Sequence, residues 1–402
     1  MTQTESTISS RWYHPTPPYP KTERQARIIA LAEEVGRIAD RHAAEHDRDN
    51  TFPHETFRAL HEAGYLTLTI PEEHGGWGAS PLEVLLAQER LAQGDGSVAL
   101  GVTMHLTSTA GIFESDRWPI DLRDRVIADV IQNGALINGV ASEPELGSPS
   151  RGGGYRTTAK RVDGGWLING RKTWSTLSPA LTYANVLLAV EEEDGTLIRG
   201  NFLVPTTTPG VRIDFTWDNL GMRATGSHDL IFDNVFVTDD FRLPASQAVP
   251  ASQVNGWSLL TSAVYLGIAQ AARNFAVTYA QHRVPSGVGK PIAELQNVQH
   301  RIAQIDILLL QARSLLYSTI ETWENFPDHR DRIAWHFAAT KYTVTNNAIQ
   351  VTDQALRVVG SVGLQKQHPL ERYFRDVRAG LGNPPMDDVA LTTIGKHALG
   401  IS

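Results

Sequence analysis

The chain has 402 residues, a formal net charge of −8, 41% hydrophobic and 20% charged residues, and no cysteine. That length holds two or three domains with a sizeable core, while the missing cysteine excludes disulfide scaffolds, thiolate nucleophiles, cysteine-type zinc sites and cysteine-held iron–sulfur clusters. The mild acidity argues against nucleic-acid partners, which need clustered Lys and Arg. With no membrane-length apolar run and no apolar signal core, a cytoplasmic enzyme is expected, with no membrane partner. Redox chemistry must then come from a bound organic cofactor or from His and carboxylate metal ligands.

Residues 1–22, rich in Pro, Ser and Thr, predict an extended N-terminal segment. Residues 23–134 read as a helical domain: TERQARIIALAEEVGRIADRHA, PHETFRALHEAGY and PLEVLLAQERLAQ repeat apolar residues at three- and four-residue spacing. Pro53 and Pro81 stand at helix starts, where a missing N–H costs least. Near Leu136 the texture changes. ALINGVAS, YRTTAKRV, GWLINGRKTW, YANVLLAV, IRGNFLV, GVRIDFTW and HDLIFDNVFV are short, often alternating, and separated by Gly, Pro, Asp or Asn. They predict a run of antiparallel strands over 135–245. Residues 246–402 return to helices. The longest repeats apolar residues at Leu295, Val298, Ile302, Ile305, Leu309, Ala312 and Leu316, and segments near 257–283, 331–359 and 387–399 complete an antiparallel bundle.

Familiar motifs mostly fail. No GxGxxG opens a helix after a strand, and there is neither a GxxxxGK[ST] phosphate loop nor a nucleophile elbow. Gly75-Gly76-Trp77-Gly78 and Gly152-Gly153-Gly154 read as turns. His42 and His46 lie one helical turn apart, but the polar run DRHAAEHDRD around them reads as a solvated helix face, so no metal site is expected.

The informative segments are NGVASEPELGSPS, LINGRKTWSTLSP and LGMRATGSHDLIFDNVFV, followed by the 283–296 stretch, VVGSVGL and LERYFRDVRAG. In this order and spacing they resemble the acyl-CoA dehydrogenase family of flavoproteins over nearly the whole chain. The resemblance implies an α+β, mostly α, fold: an N-terminal helical domain, a middle antiparallel β-barrel and a C-terminal four-helix bundle. It also implies a homotetramer or dimer, with FAD spanning a subunit boundary. Ser142, Ser148, Trp174 and Thr176 match the family's flavin and pyrophosphate contacts, and Arg283, Gln296, Arg357, Gly360 and Ser361 match those to the adenosine half. The chemistry suits the assignment. Trp174 offers a stacking face to a flat ring, while Ser175 and Thr176 offer hydroxyl and backbone groups on the same turn. Ser142 and Ser148 flank Pro144 and Gly147, a bend that turns backbone N–H groups towards a ligand. Alone, each residue reads as packing or turn chemistry; as a set they read as a cofactor site.

Two departures stand out. The family follows its RDxR helix with Tyr-Glu-Gly-Thr, whose Glu takes the α-proton of the substrate; here Arg375-Asp376-Val377-Arg378 leads to Gly382-Asn383-Pro384, with Pro384 at the base position. Other members carry their Glu early in the first helix of the bundle. Anchored on Gly267-Ile268-Ala269-Gln270, that position is Trp257. Neither side chain accepts a proton. Asp387 and Asp388 are nearby candidates, although helix capping is the commoner role for such residues. The family's CoA-facing charged residue corresponds to Ser258, which puts thioester recognition in question.

Removing hydride from an acyl thioester needs a base for the α-proton, and without one the reaction loses a factor of roughly 10²–10⁴. Some relatives instead receive reduced flavin from a partner reductase and use it with oxygen to oxygenate a substrate, which needs a dry pocket and hydrogen-bond donors but no carboxylate. Trp174-Ser175-Thr176 resembles the aromatic-Ser-Thr turn of those relatives, making Ser175 and Thr176 catalytic candidates. They often carry a His where this chain has Gly382. His105 reads two ways, as a proton donor at the substrate pocket or as a hydrogen-bonded core histidine, whereas His397 reads as packing. Trp257, Asn383 and Pro384 are expected in the substrate pocket, and Trp257 suggests an aromatic substrate or simple space filling. Three functions follow: a monooxygenase on an apolar or aromatic small molecule, an acyl-CoA dehydrogenase with an unorthodox base, and a flavin-free binding protein.

Overall fold

The computed structural model describes residues 19–114, 118–146, 154–244 and 255–401. Its first layer is helical: α1 (Glu23–Asp49), α2 (His54–Glu62), α3 (Pro81–Gly94), α4 (Gly96–Phe113) and α5 (Ile120–Asn133). The boundaries are chemical. Thr22 caps α1 by accepting from the Gln25 N–H, and Ser80 and Glu83 form a reciprocal capping box ahead of α3, with Pro81 in its first turn. Asp95 caps α4 by accepting from Ser97 and Val98 N–H groups. Every residue of α3 is buried, because it packs against α1 and also against the first helix of the C-terminal region. That second approach needs a glycine: a Cβ on Gly267 would lie 2.4 Å from the Glu89 carbonyl oxygen.

The middle region is one sheet of β1 (Leu136–Val140), β2 (Thr158–Val162), β3 (Gly165–Lys172), β4 (Leu181–Glu191), β5 (Leu197–Pro205), β6 (Val211–Asp214), β7 (Asp229–Val237) and β8 (Arg242–Leu243). The order is β6-β7-β3-β2-β4-β5-β8, with β1 also on β4. The seven expected strands are all present, but the sheet is mixed where an antiparallel barrel was expected. β1 pairs with 181–186 and β2 with 189–191 of β4, both in parallel. The two follow one another along a single edge of the long β4 in the same direction, so both run parallel to it. Residue alternation reports which face a side chain takes and says nothing about strand direction. Among the described residues β6 and β8 are the two ends of the sheet and do not pair with each other.

The C-terminal helices are α6 (Leu260–His282), α7 (Gln296–Asn325), α8 (Ala334–Val359), α9 (Leu370–Asp376) and α10 (Asp387–Leu399). α6, α7 and α8 pack on one another, and α10 lies along α8. α10 buries only Ala390 and leaves Leu391 and Leu399 exposed. Among the described residues no helix is long and apolar enough to cross a membrane.

Candidate functional site

A cavity of about 940 Å³ opens where the sheet meets both helical layers. Its walls come from four places: strand ends carrying Ser142, Trp174 and Thr176; Leu100 and Met104 of α4; loop 217–222; and segment 379–384. A smaller polar pocket of about 430 Å³ shares Trp174 and Trp217 with it and is lined by Glu145, Arg171 and Asp229. Asp229 is committed there to Arg171 at 2.6 Å and Thr216 at 3.0 Å.

The turn after β3 is hung on the segment before β7. Ser175 N–H donates to the His228 carbonyl at 3.1 Å and Leu177 N–H to the Thr225 carbonyl at 3.0 Å. Held this way, Trp174 adopts a left-handed φ of 56° and stays 60% exposed, edge-on to Trp217 at 5.1 Å. A large indole left in the open beside a cavity is a ready stacking platform. Thr176 ends a chain of hydroxyls: its Oγ1 lies 2.9 Å from Ser227 Oγ, which lies 2.8 Å from Thr225 Oγ1, which donates to the Met222 carbonyl at 2.9 Å. Each hydroxyl has one proton. Thr225 spends its proton on Met222, so Ser227 donates to Thr225 and Thr176 donates to Ser227. Thr176 Oγ1 therefore keeps only acceptor capacity for the cavity.

Two expected catalytic side chains are elsewhere. Ser175 is fully buried, does not line the cavity, and its Oγ has no hydrogen-bond partner among the described residues. His105 is fully buried too, with both ring nitrogens committed: Nε2 donates to the Leu66 carbonyl at 3.0 Å and Nδ1 accepts from Ile137 N–H at 3.3 Å. Burial pushes its pKa down to about 4. It is a neutral core histidine tying α4 to the 65–67 turn and β1, and of its two readings the structure supports this one.

Beside Ser142, Glu143 accepts from Lys172 Nζ at 2.7 Å and from the backbone N–H groups of Arg156 at 2.6 Å and Thr157 at 3.0 Å. Both side chains are wholly inaccessible. Burial lowers the Lys172 pKa to about 8, against the opposing pull of Glu143. Loop 217–222 is equally tied. Arg375 holds both carboxylate oxygens of Asp47 at 2.9 and 2.6 Å, donates to Glu371 at 2.7 Å, and reaches the Leu220 carbonyl at 2.8 Å. Met222 N–H donates to Asp376 Oδ1 at 2.7 Å. Burial, aided by Asp47, raises the Asp376 pKa to about 7. Arg375 lines the cavity as a strut whose cation is already balanced.

Pro384, which the resemblance sets at the base position, and Asn383 before it both line the cavity. The Tyr265 hydroxyl of α6 donates to Asn383 Oδ1. Asp387 is not in the lining: it accepts from Asn346 at 3.0 Å and faces Lys341 at 3.8 Å. Trp257, expected in the pocket, is not there either. Its indole N–H donates to Glu114 at the end of α4, to which Asn255 also donates at 2.6 Å, so it closes a helix end. Ser258 donates to the Asn255 carbonyl at 2.7 Å in the same turn. His397 stacks on Trp335 at 5.2 Å, and His42 and His46 both face Glu55.

Arg283, Gln296, Arg357, Gly360 and Ser361 are all exposed and none lines the cavity. They collect at one end of the bundle, where Ile292 N–H donates to the Arg283 carbonyl at 2.9 Å and Arg301 of α7 donates to Gln354 of α8 at 2.9 Å. Ser148 lies outside the described residues. The Glu143–Lys172 pair, Tyr265, Trp217 and Arg375 escaped the sequence reading. Glu143 and Lys172 stand inside the motifs, yet nothing in a linear string marks two charges 29 residues apart as partners.

The comparisons with known proteins agree with this architecture. Family models for the acyl-CoA dehydrogenase N-terminal, middle and C-terminal domains match residues 22–114, 139–235 and 259–382. The putative acyl-CoA dehydrogenase YdbM of Bacillus subtilis is 42% identical over 369 residues, covering 91% of this chain and 96% of that protein. The amino sugar nitrososynthase RubN8 of Streptomyces rubradiris is 32% identical over 393 residues, covering 91% and 89%. The solved structure of KijD3 in complex with FMN and a dTDP-linked amino keto sugar superposes with a TM-score of 0.83 at 27% identity, covering 98% of this chain and 96% of that one. The chain belongs to the acyl-CoA dehydrogenase family.

Proposed function

We propose that the protein is a flavin-dependent oxidoreductase, specifically a monooxygenase that uses reduced flavin and O₂ on an apolar, aromatic small molecule. One observation carries the reading. The described lining of the large cavity holds a single carboxylate, Glu143, with both oxygens bound to Lys172 and two backbone N–H groups, while Pro384 occupies the base position. α,β-Dehydrogenation of an acyl thioester would forfeit roughly 10²–10⁴ in rate for want of a base.

The residues present fit a flavin. Trp174 supplies an exposed aromatic face, Ser142 and Thr176 supply polar atoms beside it, and Arg283 and Arg357 are cations with no ion-pair partner among the described residues. The last two suit the phosphate and adenosine end of FAD, and their exposure suits a site completed by a second copy in a homodimer or homotetramer. A reduced flavin supplies two electrons and two protons, so that one atom of O₂ enters the substrate and the other leaves as water. Thr176 Oγ1, with its own proton spent on Ser227, accepts, and so favours the reduced ring with its extra N–H. Leu100 and Met104 would give a bound flavin and substrate an apolar wall that excludes water. A flavin reductase partner would provide the reduced cofactor. The names of the relatives point both ways, YdbM as a putative dehydrogenase and RubN8 as a nitrososynthase.

The test supplies FAD, a general flavin reductase and NADH under isotopically labelled O₂, with a panel of aromatics. A product carrying one labelled atom is expected. Absence of labelled product across the panel, together with anaerobic bleaching of bound FAD by acyl-CoA thioesters, would establish the dehydrogenase instead.

A further inference from the structure

We infer that Asn383 orients the substrate by donating a hydrogen bond from Nδ2 to an acceptor oxygen, and that Tyr265 is the positioning residue that holds the amide in that direction. The inference rests on the reading of this cavity as the substrate site. It narrows the substrate class to aromatic molecules that carry a carbonyl or comparable acceptor oxygen.

Tyr265 is fully buried on α6. Burial and the nearby Asp376 push its hydroxyl pKa far above the usual value, so it keeps its proton. A buried O–H must place that proton on an acceptor, and among the described residues the acceptor is Asn383 Oδ1. The amide is therefore fixed with its oxygen towards α6. Its Nδ2 makes no protein hydrogen bond among the described residues, and Asn383 is only half-buried in the cavity lining. Two N–H donors thus remain for whatever occupies the cavity. Neither neighbouring cation competes for that role: Arg375 is held by Asp47 and Glu371, and Arg378 by Asp353 at 2.9 Å and the Phe374 carbonyl. One residue before Pro384 at the base position, this chain presents an amide that gives a hydrogen bond. An aromatic body against Leu100 and Met104 would then have its oxygen anchored at segment 379–384 of the same lining.

Acetophenone and ethylbenzene form a matched probe pair that differs in this acceptor, and calorimetric titration into the FAD-loaded protein reads it. Asn383→Leu should weaken acetophenone by ~3–10-fold, the worth of one hydrogen bond, and leave ethylbenzene unchanged. Tyr265→Phe should cause a smaller, equally ketone-selective loss, whereas a merely structural role would weaken both probes alike. Equal losses for the two probes, no loss in Asn383→Leu, or no binding of either probe would overturn the proposal. Binding needs no oxygen. A ketone-selective loss without labelled product in the turnover assay would reject the monooxygenase and keep the donor, and the reverse pattern would reject the donor alone.

Discussion

On the sheet side of the cavity, Glu143, Lys172 and Thr176, with His105 behind them, have their donors and acceptors largely used inside the protein; on the helical side, Asn383 has its oxygen used and its nitrogen open. The first wall holds its shape whatever the cavity contains, and the second makes a contact available only to a ligand. Residue type does not predict this difference. A buried histidine and a serine on the key turn look reactive, and an asparagine beside a proline looks like a turn. What decides is how much hydrogen-bonding capacity each has left after folding.

The largest expected effect breaks the spent wall. Glu143→Leu leaves the Lys172 ammonium buried without its counter-ion, and removing one partner of a buried pair costs about 3–5 kcal/mol. Urea unfolding should show that loss, and Glu143→Leu/Lys172→Met should recover only the part owed to the orphaned charge, because the Arg156 and Thr157 N–H groups still lack their acceptor. A single variant that loses less than about 1 kcal/mol would show that the wall does not depend on this pair.

His105 gives the next effect, through pH. Its pKa is about 4 in the fold against an ordinary value of 6.5, so the folded state disfavours the protonated ring. The stabilisation is complete above pH 6.5 and is lost as pH falls through 4, about 3 kcal/mol in all. His105→Gln, which keeps a donor and an acceptor but does not titrate, should flatten the stability loss between pH 6.5 and 4. The same assignment predicts that turnover carries no ionisation traceable to His105. A rate titration near pH 6 that vanishes in His105→Gln would restore it as a proton donor.

Much of this site was legible because its motifs are local. Ser142, Trp174 and Thr176 stand at strand ends, where spacing and turn residues set the geometry, and all three reach the same cavity. The helices and strands were legible from their apolar periods for the same reason. What escaped involves distance along the chain. Parallel pairing of β1 and β2 with β4, the Glu143–Lys172 pair and the Tyr265–Asn383 bond, 118 residues apart, are products of tertiary packing with no local signature. Trp257 misled because alignment fixes a position along a helix but not the partner of its indole, which proved to be Glu114.

A smaller effect comes from Thr176, at the join between the two behaviours. Thr176→Val removes the first hydroxyl of the relay, for about 1 kcal/mol of stability, and takes away the acceptor facing the cavity. Reduced FAD should bind more weakly to this variant while oxidised FAD changes less. Thr176→Ser, which keeps the hydroxyl, should restore the preference. Equal weakening for both redox forms, measured by anaerobic fluorescence titration, would remove the argument that this turn selects the reduced ring.

The smallest effect is expected at Ser175, one residue away on the same turn. Its Oγ is buried, has no partner among the described residues, and lies outside the cavity lining. A buried hydroxyl without a partner carries a desolvation cost that alanine relieves, offset by the loss of a few packing contacts. Ser175→Ala should therefore leave the unfolding free energy within about 0.5 kcal/mol of the parent, with flavin affinity and product yield unchanged. A drop in yield at constant flavin affinity would mean that the hydroxyl turns towards the cavity during turnover. Ser175 would then join Asn383 among the groups still open to a ligand.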